Sequence, residues 1–117
     1  MFCHLHIHSE YSLLESSVKI KNLIDMAKKY CMKSVALTDT ASMHGIIEFY
    51  REAYINNIKP LLGAEIIVVK NGVVSSFILI AKNIKGYENL CSITSHSNLS
   101  NKNCPSPTDF SLSLIHI

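Results

Sequence analysis

Apolar and polar side chains alternate strictly from Phe2 to His8: Phe2, His4, His6 and His8 fall on one side, Cys3, Leu5 and Ile7 on the other. That period of two predicts a half-buried first strand. Ile20, Leu23, Ile24, Ala27 and Cys31 then recur at helical spacing, with Ser16 or Ser17 placed as N-cap and Lys28 and Lys29 at the negative end of the helix dipole. Ser34 to Thr38 reads as a short buried strand ended by Asp39. Ser42 is placed to cap a second helix, running from about Met43 to Asn56, whose apolar face is Ile46, Ile47, Tyr50 and Ala53 or Tyr54. Pro60 to Val69 and Val73 to Ala81 flank Lys70-Asn71-Gly72, the pattern of a hairpin, because Asn-Gly accepts positive φ. Gly86 to Ser92 opens a further helix. The resulting order, βαβαββα, predicts an α/β fold with parallel strands and crossover helices.

The pattern decays beyond Ser92. Of the 26 residues from there to Ile117, 14 are Ser, Thr, Asn or Pro, and only Lys102 and Asp109 are charged. This stretch is expected to be irregular. The chain divides accordingly into residues 1–100, a partial folded domain, and residues 101–117, an irregular tail and a candidate for non-native sequence.

Length and composition narrow the class. A chain of 117 residues suits one domain or part of one, since domains usually run to about 50–250 residues. With 48% apolar and 17% charged residues it can build a core, which excludes wholesale disorder. The net charge of +2 comes from scattered Lys and Arg residues and gives no electrostatic footprint for nucleic acid. Apolar runs such as Ile66 to Val69 and Phe77 to Ala81 fall far short of the roughly 18–20 residues of a membrane span, and no secretory pattern opens the chain. A cytoplasmic protein with no membrane partner is expected. Cys3, Cys31, Cys91 and Cys104 are widely spaced without a CxxC pair and read as reduced thiols.

The candidate chemistry lies in the histidines. Imidazoles at i and i+2 of a strand stand about 6.6 Å apart along it, on one face, close enough to reach one metal. His6, His8 and Asp39 fall at the carboxyl ends of predicted strands, where α/β folds collect their active groups. Burial explains three histidines on one face badly, because each ring would need its own hydrogen-bond partner; a solvated edge strand is the bland alternative. Asp39, Glu65 and Glu15 are the carboxylates available to complete a site. An Asp after a strand serves equally well as a cap or turn residue, whereas Glu65, inside an apolar run, must be paired or ligating.

His4-Leu-His6-Ile-His8-Ser-Glu-Tyr-Ser-Leu-Leu, Val35-Ala-Leu-Thr-Asp39, Glu48-Phe-Tyr and Ile58-Lys-Pro-Leu-Leu-Gly-Ala-Glu65 resemble, in order and spacing, the PHP (polymerase and histidinol phosphatase) domain that opens the bacterial replicative DNA polymerase III alpha subunits. The resemblance covers residues 2–92. It implies a partial, distorted (β/α)7 TIM-like barrel, first half only, with divalent ions such as zinc or manganese between the strand ends. By resemblance His6 and His8 are metal ligands, Glu65 is a bridging or terminal carboxylate ligand, and Glu15 stands where the family has a ligating Asp. Asp39 matches the Asp of a Thr-Asp-His motif and is the candidate catalytic residue. Thr40 and Ser76 stand where the family has histidines, so the metal site is expected to be incomplete.

Three functions follow from this reading. The first is the amino-terminal fragment of a replicative DNA-directed DNA polymerase, with a partly decayed metal-dependent phosphoesterase site, meeting DNA and the replisome subunits through its full-length parent. The second is a free-standing phosphoesterase of the histidinol phosphatase type. The third is a structural docking module for a proofreading exonuclease subunit. A half barrel would also expose apolar strand edges, so poor solubility of the isolated chain is expected.

Overall fold

The computed structural model describes residues 2–12, 15–70, 72–99 and 108–109. Along the chain these form α1 (Ile20–Lys29), β1 (Ser34–Thr40), α2 (Ile46–Ile55), β2 (Lys59–Lys70), β3 (Val73–Ile80), α3 (Ile84–Leu99) and a two-residue β4 (Thr108–Asp109). β2 is the middle strand. It pairs parallel with β1 from Ser34 opposite Lys59 to Thr40 opposite Glu65, the two being joined through α2. It pairs antiparallel with β3 from Gly63 opposite Ile80 to Lys70 opposite Val73, and β4 lies parallel beside Val68 and Val69. The β2–β3 connection is the expected tight hairpin, with Gly72 at φ +77°; Asn71 lies outside the described residues.

One face of this sheet is packed by helices. Ile20, Ile24 and Ala27 of α1 and Ile46, Phe49 and Ala53 of α2 form a buried cluster with Val35, Leu37 and Ile58. Leu90 and Ile93 of α3 cover Ala64, Ile66, Val68 and Leu79. Each fully buried Val, Leu, Ile or Phe among them contributes about 1.5–3 kcal/mol relative to exposure. Phe49, fully buried, is the largest of them, and truncation to Ala would cost about 3–5 kcal/mol. Gly63 permits close packing within the sheet: a Cβ there would come within 2.5 Å of the Leu79 carbonyl oxygen and 3.0 Å of Thr38 Cγ2.

Both α-to-β exits use the same device. After α1, Cys31 adopts φ 54°, its N–H bonding the Lys28 carbonyl while the Met32 N–H bonds that of Ala27. After α2, Asn57 adopts φ 56°, its N–H bonding the Tyr54 carbonyl while that of Ile58 bonds Ala53. These are Schellman closures that satisfy the last helical carbonyls, built without the usual glycine.

Several expectations are corrected. Phe2 to His8 is extended but forms no regular strand; the reason lies in its bonding to β1, described below. Neither helix has a side-chain N-cap: Lys19 and Gly45 occupy those positions. Ser16 instead donates to the His8 carbonyl, and Ser42 bonds His44. The buried face of α2 is Ile46, Phe49 and Ala53, whereas Ile47, Tyr50 and Tyr54 are exposed, with the two tyrosine rings stacked. Finally α3 continues through the Ser-rich stretch to Leu99, because Leu90, Ile93 and Thr94 recur at helical spacing and are buried. Thr94 tucks its hydroxyl onto the Leu90 and Cys91 carbonyls. Most of the tail, residues 101–107 and 110–117, lies outside the described residues. Cys3, Cys31 and Cys91 are unpaired thiols.

Candidate metal centre

The histidine segment lies along β1 with one residue too many. The Ala36 N–H bonds the His4 carbonyl at 3.0 Å and the Thr38 N–H bonds the Ile7 carbonyl at 2.8 Å. Over two residues of β1 the partner therefore advances three, which is a bulge and breaks the regular ladder. Thr38 repairs the break, its hydroxyl accepting the Ile7 N–H at 3.1 Å. Bulges re-aim side chains, and here His4 is separated from the other two imidazoles, its ring lying edge-on to Phe2 instead.

His6 and His8 turn toward β2. Their Nε2 atoms stand 3.2 Å apart, and Glu65 Oε2 lies 3.2 Å from that of His6 and 2.7 Å from that of His8. The side chain of His6 is 52% exposed, whereas Glu65 is only 16% exposed. Burial pushes the Glu65 carboxyl up, but hydrogen bonds from Ser76, His6 and His8 outweigh it and hold the group below its ordinary value. The second Glu65 oxygen, Oε1, accepts from Ser76 Oγ at 2.8 Å. Ser76 lies diagonally across the β2–β3 ladder from Glu65, whose direct partner is Ile78, a spacing that side chains on one face can bridge.

Glu15 approaches from the other side of His8, with Oε2 3.3 Å from Nδ1, and Thr40 donates its hydroxyl to that same oxygen at 2.6 Å. Ligand atoms of His6, His8 and Glu65 all lie within 4.8 Å of one another. Two ring nitrogens facing each other beside a carboxylate oxygen suit a shared cation, since neutral imidazole nitrogen and carboxylate oxygen are ligands for zinc and related ions.

Asp39 takes no part in this convergence. Register pairs Thr40 with Glu65 and Asp39 with Ala64, and because successive strand residues face opposite ways, Asp39 points to the helix-covered side. There it is 2% exposed. Its Oδ1 accepts from the Ser9 N–H at 2.6 Å and from Ser12 Oγ at 2.8 Å, and its Oδ2 accepts from Ser9 Oγ at 2.7 Å. Sequence reasoning missed these serines, although a buried carboxylate must find donors and Ser9 and Ser12 lie one and four residues beyond His8. His44 bonds Ser42 locally, and His116 lies outside the described residues.

Parallel strands joined by a helical crossover, with two imidazoles and a mid-β2 carboxylate gathered beside the last residue of β1, define an α/β unit carrying a candidate metal cluster. The chain belongs to the PHP domain family, whose profile matches residues 4–113. It is 44% identical over 109 residues to the DNA polymerase III subunit alpha of Borreliella burgdorferi, the match covering 84% of this chain and 10% of that protein. It is 42% identical over 102 residues to the same subunit of Helicobacter pylori (80% of this chain, 8% of the relative) and 35% identical over 112 residues to that of Deinococcus radiodurans (80% and 8%). The chain thus spans about a tenth or less of the length of these relatives.

Among solved structures, it is similar to one described as a metal-dependent phosphoesterase from Bifidobacterium adolescentis, with a TM-score of 0.67 at 20% identity, covering 83% of this chain and 33% of that one. An amidohydrolase from Chromobacterium violaceum gives a TM-score of 0.65 at 20% identity, covering 84% and 33%. The shared property is the fold. No helix among the described residues is long and apolar enough to cross a membrane.

Proposed function

We propose that this chain is the PHP portion of a replicative DNA polymerase alpha subunit and that His6, His8 and Glu65 hold a divalent cation, zinc or manganese. The observation that carries the reading is the convergence of these three side chains in a chain 44% identical to an alpha subunit. The sheet is the first part of a (β/α)7-type barrel, helices on the outside and the cluster at the inner rim; coverage of a third of each solved neighbour supports this. DNA and the replisome subunits are partners of the whole polymerase.

A divalent cation in this position supplies Lewis-acid polarisation of a phosphoryl oxygen and lowers the pKa of a coordinated water. The chain's own residues provide the frame. His6 and His8 offer two ring nitrogens, Glu65 offers a carboxylate oxygen, and Asp39 fixes the peptide at Ser9 beside His8. Asp39 acts through that backbone and not as a proton carrier, since both its oxygens are engaged.

A second reading, a docking platform for a proofreading exonuclease subunit, is favoured by Thr40 and Ser76, neutral hydroxyls that spend their protons on carboxylates. Metal analysis of the purified chain beside a His6→Ala, His8→Ala double variant tests the cluster: uptake by the first and at least a tenfold loss in the second is expected, and equal metal content would remove these ligands. Following the coding sequence downstream tests the parentage, since polymerase motifs should continue it.

A further inference from the structure

We infer that Ser76, Thr40 and Glu15 are positioning residues that commit the cluster to one cation, an inference that rests on His6, His8 and Glu65 being ligands. Two of the carboxylate oxygens that a second ion would use already carry a hydroxyl of the chain. A carboxylate that bridges two ions gives one oxygen to each. Glu65 gives Oε2 to the imidazole side, but its Oε1 holds the Ser76 hydroxyl at 2.8 Å. A second ion on Oε1 would have to displace or crowd the Ser76 hydroxyl, which favours Glu65 as a one-oxygen ligand.

His8 is committed in the same way. An imidazole that ligates through Nε2 carries its proton on Nδ1 and needs an acceptor there to fix the tautomer and ring orientation. Glu15 Oε2 stands 3.3 Å from His8 Nδ1 and is the carboxylate in reach to become that acceptor when the ion binds. The Thr40 hydroxyl, donating to the same oxygen at 2.6 Å, holds the exposed Glu15 side chain in place. Glu15 thus acts through His8 and makes no direct bond to the ion. Two hydroxyls, one from the end of β1 and one from β3, each clamp one carboxylate, leaving three donors with an open side, the ligand count of catalytic zinc sites.

Titrating the 117-residue chain with Zn2+, and with Co2+ as a spectroscopic probe, tests this. One ion per chain is expected. Ser76→Ala and Glu15→Ala should each weaken binding of that ion about 10–100-fold, the usual cost of removing an outer partner. Ser76→Thr and Thr40→Ser, which keep the hydroxyl, should restore affinity to within a few-fold, and Glu15→Ala should alter the Co2+ visible spectrum. Two ions per unaltered chain, or unchanged affinity in Ser76→Ala and Glu15→Ala, would overturn the inference while leaving the metal reading intact. Absence of uptake by the unaltered chain would overturn both.

Discussion

Thr38 holds Ile7 from two directions: its backbone N–H donates to the Ile7 carbonyl at 2.8 Å, and its hydroxyl accepts the Ile7 N–H at 3.1 Å. Ile7 sits between the two clustered imidazoles, so this double contact fixes the peptide from which both rings project.

Thr38→Val keeps the shape and removes the hydroxyl. The Ile7 N–H loses its acceptor in a part-buried position, at a cost of about 1–3 kcal/mol. Urea denaturation should show that loss, and metal affinity should fall with it although no ligand has been touched. A variant as stable as the parent would mean that water replaces the hydroxyl.

Asp39 offers a graded test. Asp39→Ala strands three donors, Ser9 N–H, Ser9 Oγ and Ser12 Oγ, in a buried place, and should cost about 3 kcal/mol or more. Asp39→Asn retains one acceptor oxygen, and the serine hydroxyls can rotate to accept from its amide, so it should be milder. Thermal melts that rank the two the other way would contradict this network.

Cys31 pays for its left-handed backbone with steric strain, about 1 kcal/mol for a residue bearing a Cβ. Cys31→Gly should stabilise the chain by no more than about 0.5 kcal/mol, because the added freedom of the unfolded chain takes back roughly 0.5–1 kcal/mol of the relieved strain. Asn57→Gly, at the matching place after α2, should change little, because Asn tolerates this conformation. Paired melts of the two variants compare them directly.

Tyr11 donates its phenol proton to Glu48 Oε2 at 2.8 Å. That hydrogen bond, followed by the charge of Glu48, raises the phenol pKa above its ordinary value of 10.0. Because the folded pKa is the higher one, the contribution to stability is complete below the unfolded value and is lost as pH rises through the folded one. Difference titration at the tyrosinate absorbance band, parent against Tyr11→Phe, should place Tyr11 above an ordinary tyrosine, and Glu48→Gln should bring it back.

Much of this arrangement was legible in the sequence, where side-chain periodicity does the reporting. The helical stripe of Ile20, Ile24 and Ala27, the buried strand at Val35 to Leu37 and the hairpin around Gly72 all follow from spacing, and so does the pairing of His6 with His8. Helix ends were less legible, because the serines near them serve other bonds and the Schellman turns use Cys31 and Asn57 in place of glycine. On α2, Phe49 outcompetes Tyr50 for the core, since tyrosine can keep its hydroxyl in water. The placement of Asp39 needed something composition cannot supply, the register between β1 and β2, which sends neighbouring residues to opposite sides of the sheet.

That opposition has a consequence for the imidazoles. His8 and Ser9 are adjacent, and Ser9 is gripped from behind by a carboxylate that never meets the cluster. The backbone carrying His8 is thus immobilised in advance, and an arriving ion has little chain entropy left to quench. Tight capture can therefore originate on the far side of the sheet, in a carboxylate and two serines that themselves bind nothing from solution.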